Sequence, residues 1–249
     1  MDGGSVARIA DLAVVTREMP ILEVGPGTGA LTRALAARAD RLIAVEVDGD
    51  LVEILREDPE LARVEILHAD ALAFPYHEVM SGQAWAATGN LPYNVATALL
   101  LQWIEGEHPP ERITVTLQRD VADRLIARPG TPAYGSLSVA TQLLMHARRA
   151  FRLGPSLFYP PPKVDSSVVV LERRAEPLVS GTLLNTTRAL VRAAFAYRRK
   201  TLANSLYLAL GIERTRIRTA LRGLGLEMEI RGEQLDLKEF VALAEALGP

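Results

Sequence analysis

The segment Asn90-Leu91-Pro92-Tyr93 brings together a carboxamide, a proline-stiffened turn and an aromatic ring in four consecutive residues. An exocyclic amine on a purine is a weak nucleophile, because its lone pair is delocalised into the ring and it is not usefully deprotonated at neutral pH. Two hydrogen-bond acceptors can change this. If the Asn90 side-chain oxygen and a backbone carbonyl of the Leu91-Pro92 segment each accept one N–H, the lone pair turns toward an electrophilic carbon. Catalysis of that kind rests on orientation and electrostatic fit, with no metal and no covalent intermediate. Proline suits the turn, since it fixes the chain and has no N–H to spoil the acceptor array. The ring of Tyr93 offers a base a stacking surface worth about 1–3 kcal/mol, although a tyrosine beside an Asn-x-Pro turn can equally be packing.

A second group of residues has the chemistry of a nucleoside site. Gly25-Pro26-Gly27-Thr28-Gly29 falls between an apolar strand and a helix, where glycines let the backbone turn tightly and approach a ligand closely. A plain structural turn has the same composition. Glu46 ends the next strand, where its carboxylate can accept both hydroxyls of a ribose, the role of the acid found about 20 residues beyond the glycines of dinucleotide folds. Asp70, within His68-Ala69-Asp70-Ala71-Leu72, ends a third strand and can accept from an exocyclic amine such as that of a cofactor adenine. The Gly-x-Gly-x-Gly spacing with this third acid points away from NAD and resembles the S-adenosylmethionine methyltransferase fold. No Walker lysine follows the glycines, which argues against a phosphate-cradling loop.

These residues need a scaffold that gathers strand ends, and the chain supplies its pattern. A helix starts near Ser5, with Val6, Ile9, Ala10, Ala13 and Val14 on one face. Strands over 21–24, 42–46 and 64–68 alternate with helices over 31–39 and 50–56. A second set follows, with strands over 85–89 and 113–118 and helices over 96–104 and 121–127. This alternation with short connections is that of a parallel sheet covered on both faces. Beyond the break at Arg128-Pro129-Gly130-Thr131-Pro132, residues 147–153 and 166–171 read as two closely connected strands, which favours an antiparallel pairing. From Leu183 onward the pattern is helical, with breaks near Gly211, Gly223 to Gly225 and Gly232. The expected fold is α/β: a Rossmann-like, seven-stranded, mostly parallel sheet over residues 1–177, then a small helical domain over residues 178–249.

Composition narrows the setting. The 249 residues contain no cysteine, which excludes disulfides and thiolate chemistry and suits a reducing compartment. No apolar run approaches the ~20 residues that span a bilayer, and the first residues lack the blocks of a signal peptide, so a cytoplasmic protein without membrane partners is expected. The net charge is −2, but it is unevenly placed. The segment from Leu178 onward is a net +4 and the rest −6. A local basic face can bind phosphates even on a slightly acidic chain. His68, His77, His108 and His146 show no ligand spacing, and no metal is assigned.

The stretch Phe158-Tyr159-Pro160-Pro161-Pro162-Lys163-Val164-Asp165-Ser166 reads as a rigid loop between two strands, presenting Phe158 to the face of a flipped base opposite Tyr93. With it the resemblance becomes specific. The chain resembles the bacterial KsgA family of small-subunit rRNA adenine dimethyltransferases. The motifs that carry the resemblance are Glu23-Val24-Gly25-Pro26-Gly27-Thr28-Gly29-Ala30-Leu31-Thr32, Asn90-Leu91-Pro92-Tyr93-Asn94, Gln118-Arg119-Asp120-Val121-Ala122, Tyr134-Gly135-Ser136-Leu137-Ser138-Val139, the Phe158 loop and Arg198-Arg199-Lys200-Thr201-Leu202. Together they span roughly residues 20–205.

The resemblance implies dimethylation of the N6 amines of two adjacent adenosines near the 3′ end of 16S rRNA. It implies S-adenosylmethionine as donor, S-adenosylhomocysteine as product, no metal, and a monomer acting on an immature 30S particle. By it, Glu23, Gly25, Gly27, Glu46, Asp70, Ala71 and Asn90 hold the cofactor. Asn90, Leu91, Pro92, Tyr93 and Phe158 form the catalytic pocket, and Arg188, Arg192, Arg198, Arg199 and Lys200 contact RNA phosphates. Arg214, Arg216, Arg218 and Arg222 extend that basic set. Family members carry a Gln-Asn-Phe-Leu-like segment before the first helix, and this chain begins at about the point where it would end, which predicts a more open site or a shortened chain. Two alternatives are a large-subunit rRNA adenine methyltransferase of the macrolide-resistance type, which shares the chemistry, and a catalytically impaired RNA-binding assembly factor.

Overall fold

The structure is a computed structural model that describes residues 2–80, 82–92, 95–158, 161 and 163–248, with the side chain of His77 also outside the description. Two compact units emerge, Met1–Ala122 with His146–Arg173, and Asp123–Met145 with Arg174–Pro249.

The first unit opens with helix α1 (Gly3–Ala13), capped by Asp2, whose carboxylate accepts from the Ser5 N–H at 3.0 Å. Strand β1 (Ile21–Val24), helix α2 (Ala30–Ala36), strand β2 (Leu42–Glu46), helix α3 (Gly49–Glu57) and strand β3 (Glu65–His68) follow. Then come a short helix α4 (Tyr76–Val79), strand β4 (Ala86–Asn90), helix α5 (Ala96–Glu105), strand β5 (Arg112–Gln118) and helix α6 (Arg119–Leu125). Helix α7 (Ser136–Leu144) precedes strands β6 (Met145–Leu153) and β7 (Ser166–Arg173).

All seven strands lie in one sheet in the order β3-β2-β1-β4-β5-β7-β6. The pairs β2–β3, β1–β2, β1–β4 and β4–β5 are parallel, and β5–β7 is antiparallel. Parallel strands covered on both faces are enclosed along their whole length, and every residue of β1 and β2 is buried, the carboxyls Glu23 and Glu46 included. On one face Val6, Ile9, Ala10 and Ala13 of α1 join Leu31 and Leu35 of α2 over Ile21, Leu42 and Ala86. Another cluster is aromatic: Tyr76 stacks on Trp85 at 6.4 Å and meets Trp103 edge-on at 5.9 Å. The C-terminus of α1 is tied down as well, since its Leu12 carbonyl accepts from Thr114 Oγ1 at 3.2 Å.

The second unit contains α7 and four further helices, α8 (Gly181–Ala196), α9 (Leu202–Leu210), α10 (Arg214–Gly223) and α11 (Leu237–Leu247). Its division from the first departs from the expected 177/178 boundary, because residues 123–145 pack with the C-terminal helices. The reason is where apolar side chains find partners. Tyr134, Val139 and Leu143 join Leu190, Leu206 and Phe240 in one core, and the buried Tyr134 hydroxyl donates to the Leu235 carbonyl at 2.9 Å. Helix α7 itself was not anticipated. The breaks at Gly211 and Gly223 to Gly225 were, and Gly211 caps α9 in the left-handed conformation with φ 71°.

Candidate functional site

Strand order reverses at β1, which has β2 on one side and β4 on the other. In an open parallel sheet this switch point leaves a crevice beyond the carboxyl ends of the strands, because the flanking connections depart to opposite faces. The segments leaving β1, β2, β3 and β4 there carry the glycine turn, Glu46, Asp70 and Asn90 in turn.

The glycine turn is held by its own backbone. Gly25 N–H donates to the Val45 carbonyl and Gly29 N–H to the Pro26 carbonyl, both at 3.0 Å. Gly25, Gly27 and Gly29 have φ of 70°, 58° and 83°, values that side chains of L-residues rarely adopt. The three differ in surroundings. A Cβ on Gly29 would lie 2.8 Å from Leu55 Cδ2, whereas one on Gly27 would meet nothing within 4 Å. Gly29 is thus enclosed by side chains, while Gly27 borders open space that a ligand can approach.

Glu46 ends β2 and is buried. Its Oε2 accepts from Gly27 N–H at 3.1 Å, and its Oε1 accepts from the N–H groups of Val47 and Asp48 at 2.9 and 3.2 Å. The carboxylate therefore pins the glycine turn to the β2–α3 turn. Each carboxylate oxygen has two lone pairs, so one position on Oε2 remains for a ligand hydroxyl. Asp70 is exposed; its Oδ1 accepts from Leu72 N–H at 2.9 Å, which fixes the carboxyl in place. The neighbouring Ala71 carbonyl accepts from the Tyr76 hydroxyl at 2.5 Å, tying this loop to the aromatic cluster.

Glu23, in β1 just before the turn, is 1 % exposed. Burial pushes its carboxyl up to about 8; the Thr32 hydroxyl offsets part of the rise and the Glu46 carboxylate adds to it. Thr32 is close enough to favour the anion, but neither Glu23 Oε2 nor Thr32 Oγ1 forms a hydrogen bond of good geometry. A buried acceptor without a partner is costly. With its value near 8, Glu23 holds a proton at neutral pH.

Asn90 is the last residue of β4, opposite Thr116 of β5, and is exposed with no side-chain partner among the described residues. Its neighbours decide which carbonyl can work with it. The Pro92 carbonyl already accepts from Val95 and Ala96 N–H at 3.2 and 3.0 Å, starting α5. Leu91, with its side chain buried, has a carbonyl that no such bond occupies among the described residues. Among the described residues, Asn90 Oδ1 and the Leu91 carbonyl are thus the acceptors left without a partner at this strand end, whereas the Pro92 carbonyl starts α5.

Gly89 is a site residue that the sequence reading missed. A Cβ there would lie 2.3 Å from the Val24 carbonyl oxygen, so only glycine lets β4 approach β1 this closely. The same approach places the Asn90 carbonyl oxygen 3.9 Å from where a Gly25 Cβ would be. A lone glycine inside a strand pattern is the available signal for such contact.

Tyr93, assigned to base stacking, lies outside the described residues, as do Tyr159, Pro160 and Pro162 of the proline loop. Phe158 is half-buried and packs on the α1–α2 cluster. The basic residues sit in the second unit. Arg188 and Arg192 are on α8, and Arg198, Arg199 and Lys200 are exposed just beyond it. Arg198 donates to the Tyr134 carbonyl at 3.0 Å, which fixes that residue within its own unit. Arg192 is exposed with no carboxylate partner among the described residues. Among those residues no group of three or more His, Asp or Glu side chains is placed to hold a metal ion.

Comparison with known proteins bears on this geometry. A profile of the family described as "Ribosomal RNA adenine dimethylase" matches residues 2–246. The chain belongs to the ribosomal RNA adenine dimethylase family. Within that dimethylase family, "Ribosomal RNA small subunit methyltransferase A" of Geobacter metallireducens is 42 % identical over 99 % of this chain and 92 % of its own length. The protein of the same name from Listeria monocytogenes is 38 % identical over 100 % of this chain and 88 % of its own. The crystal structure of the 23S rRNA methyltransferase ErmE matches with a TM-score of 0.76 and 31 % identity, covering 99 % of this chain and 98 % of that one. A dimethyladenosine transferase from Plasmodium falciparum superposes with a TM-score of 0.83 at 22 % identity, over 97 % and 94 % of the two chains, and shares the fold. This dimethylase is thus a Rossmann-like methyltransferase. None of its helices, among the described residues, is long and apolar enough to cross a membrane.

Proposed function

We propose that this dimethylase places two methyl groups on the N6 amine of each of two adjacent adenosines near the 3′ end of 16S rRNA, within an immature 30S particle in the cytoplasm, acting as a monomer. The observation that carries the chemistry is the exposed Asn90 amide beside a Leu91 carbonyl that accepts no backbone bond among the described residues, at the strand end that abuts the glycine turn. The choice of RNA is supported by the 42 % and 38 % identities to small-subunit enzymes, against 31 % to a 23S enzyme.

The crevice suits S-adenosylmethionine. Gly27 borders open space, Glu46 retains one lone pair on Oε2 for a ribose hydroxyl, and Asp70 and Ala71 stand on the next loop for an adenine. Glu23 has a buried oxygen without a partner. The donor supplies an activated methyl group on a sulfonium. The protein's residues do the rest by positioning: Asn90 Oδ1 and the Leu91 carbonyl accept the two N–H bonds of the target amine and turn its lone pair outward. Tyr93 and Phe158 flank the base, and Arg192, Arg199 and Lys200 hold phosphates without reading sequence.

The test is transfer of isotopically labelled methyl groups to immature small subunits and to large-subunit RNA in parallel, followed by mapping of the modified positions. Label in two adjacent small-subunit adenosines is the expected outcome. Label in large-subunit RNA would move the chain to the macrolide-resistance type, and binding without transfer would make it an assembly factor.

A further inference from the structure

Strand β6 is an edge of the sheet, next to β7 alone. Its sequence, Met145-His146-Ala147-Arg148-Arg149-Ala150-Phe151-Arg152-Leu153, contains three arginines and no carboxylate. Side chains alternate along a strand, so Arg148 and Arg152 share one face, and both are exposed. Phe151, of opposite parity, faces α1, where the exposed Arg8 places its guanidinium 4.1 Å over the ring. Cations therefore flank this edge on both sides.

Five other arginines of this unit are matched to acids, Arg17 to Asp40, Arg33 to Asp58, Arg38 to Asp11, Arg112 to Glu172 and Arg173 to Glu111, and Arg56 and Arg63 donate to the Ile66 and Ala36 carbonyls. Among the described residues, Arg8, Arg148 and Arg152 have no carboxylate within ion-pair distance. Unbalanced like charges on one strand raise the energy of the folded chain slightly, a cost that an anionic partner removes. Planar guanidinium forks suit phosphate oxygens. Arg148 and Arg152, four residues apart on an extended strand, are separated by about 13 Å, enough to hold separate phosphates. The chain leaves β6 at Leu153 for the loop that carries Phe158, so this edge leads toward the side chain assigned to the base.

We infer that the β6 edge is an RNA-backbone contact of the catalytic unit, with Arg148 and Arg152 each taking a phosphate. The inference rests on the RNA-methylation reading above. Its rival is that edge-strand charges serve only to prevent pairing with another sheet edge, a task that any charge performs.

Fluorescence anisotropy with a labelled hairpin transcript from the 3′ end of 16S rRNA, titrated between about 50 and 200 mM salt, separates the two. The double variant Arg148→Gln/Arg152→Gln should reduce the slope of log K against log salt by about 1.4–1.8 and weaken binding on the order of ten- to a hundredfold at low salt. Arg148→Lys/Arg152→Lys should keep the slope. An unchanged slope and affinity in the Gln pair would leave the arginines as edge protection and overturn the inference. So would equal losses in the Lys and Gln pairs, since the charge would then not be the cause. If the wild-type protein shows no salt-dependent binding to the hairpin, the RNA reading itself fails and takes this inference with it.

Discussion

Replacing Glu23 by Gln isolates the effect of the buried carboxyl. Its ordinary value is 4.5 and burial raises it to about 8 in the folded protein. The native state therefore holds a proton that the unfolded chain releases. Stability from this proton is fully present below pH 4.5 and is lost as pH rises toward 8, at about 1.4 kcal/mol per pH unit. Between pH 5 and 7 the wild type should lose about 2–3 kcal/mol relative to Glu23→Gln, which cannot ionise. At about 2–4 °C per kcal/mol, that is a relative shift of roughly 5–10 °C in the melting temperature. Both tryptophans, Trp85 and Trp103, lie in the first unit, so their fluorescence reports the unfolding of that unit. The constant offset between the two proteins also contains the cost of burying an amide, so the diagnostic is the change in their difference with pH. Parallel melting curves from pH 5 to 8 would refute the reasoning, because Glu23 would then have the same proton affinity folded and unfolded.

Gly89→Ala brings a methyl group to 2.3 Å from the Val24 carbonyl, so β4 must shift by about 1 Å, a misplacement that can cost on the order of a hundredfold in rate; the destabilisation of about 1–3 kcal/mol should appear in thermal melts and the rate loss in single-turnover methyl transfer. Glu46→Gln puts an N–H group against backbone donors that now bond a carboxylate. Removing a charged acceptor costs about 1.5–3 kcal/mol, so calorimetry with S-adenosylmethionine should show affinity reduced roughly 10- to 100-fold.

Much of this was legible in the sequence because the signals were local. The glycine turn, both acids and the Asn-Leu-Pro segment fall at strand ends, and strand order brings those ends together without further information. The run Ile21 to Val24, apolar except for Glu23, and the run Leu42 to Val45 read as central parallel strands. What escaped depended on contacts distant in sequence. Helix α7 begins Ser136-Leu137-Ser138-Val139, an alternation without helical period, and its place is set by Tyr134, Val139 and Leu143 sharing a core with Phe240. The need for Gly89 comes from Val24, and that for Gly232, read as a helix break, comes from Ala194, whose Cβ would lie 2.9 Å from a side chain there. The Pro92 carbonyl looked equivalent to that of Leu91 until α5 was seen to consume it. The charge imbalance pointed to the second unit, and it concealed the arginines of β6 because acids elsewhere in residues 1–177 mask them in the net charge.

The most direct test of the amine-orienting role is Asn90→Ala, followed in parallel by single-turnover methyl transfer to immature small subunits and by calorimetry with S-adenosylmethionine. Loss of one of two acceptors should lower the transfer rate on the order of 10²–10³-fold while cofactor affinity changes little. A variant that methylates adenosine at nearly the wild-type rate, with the protein still binding its cofactor, would contradict that role.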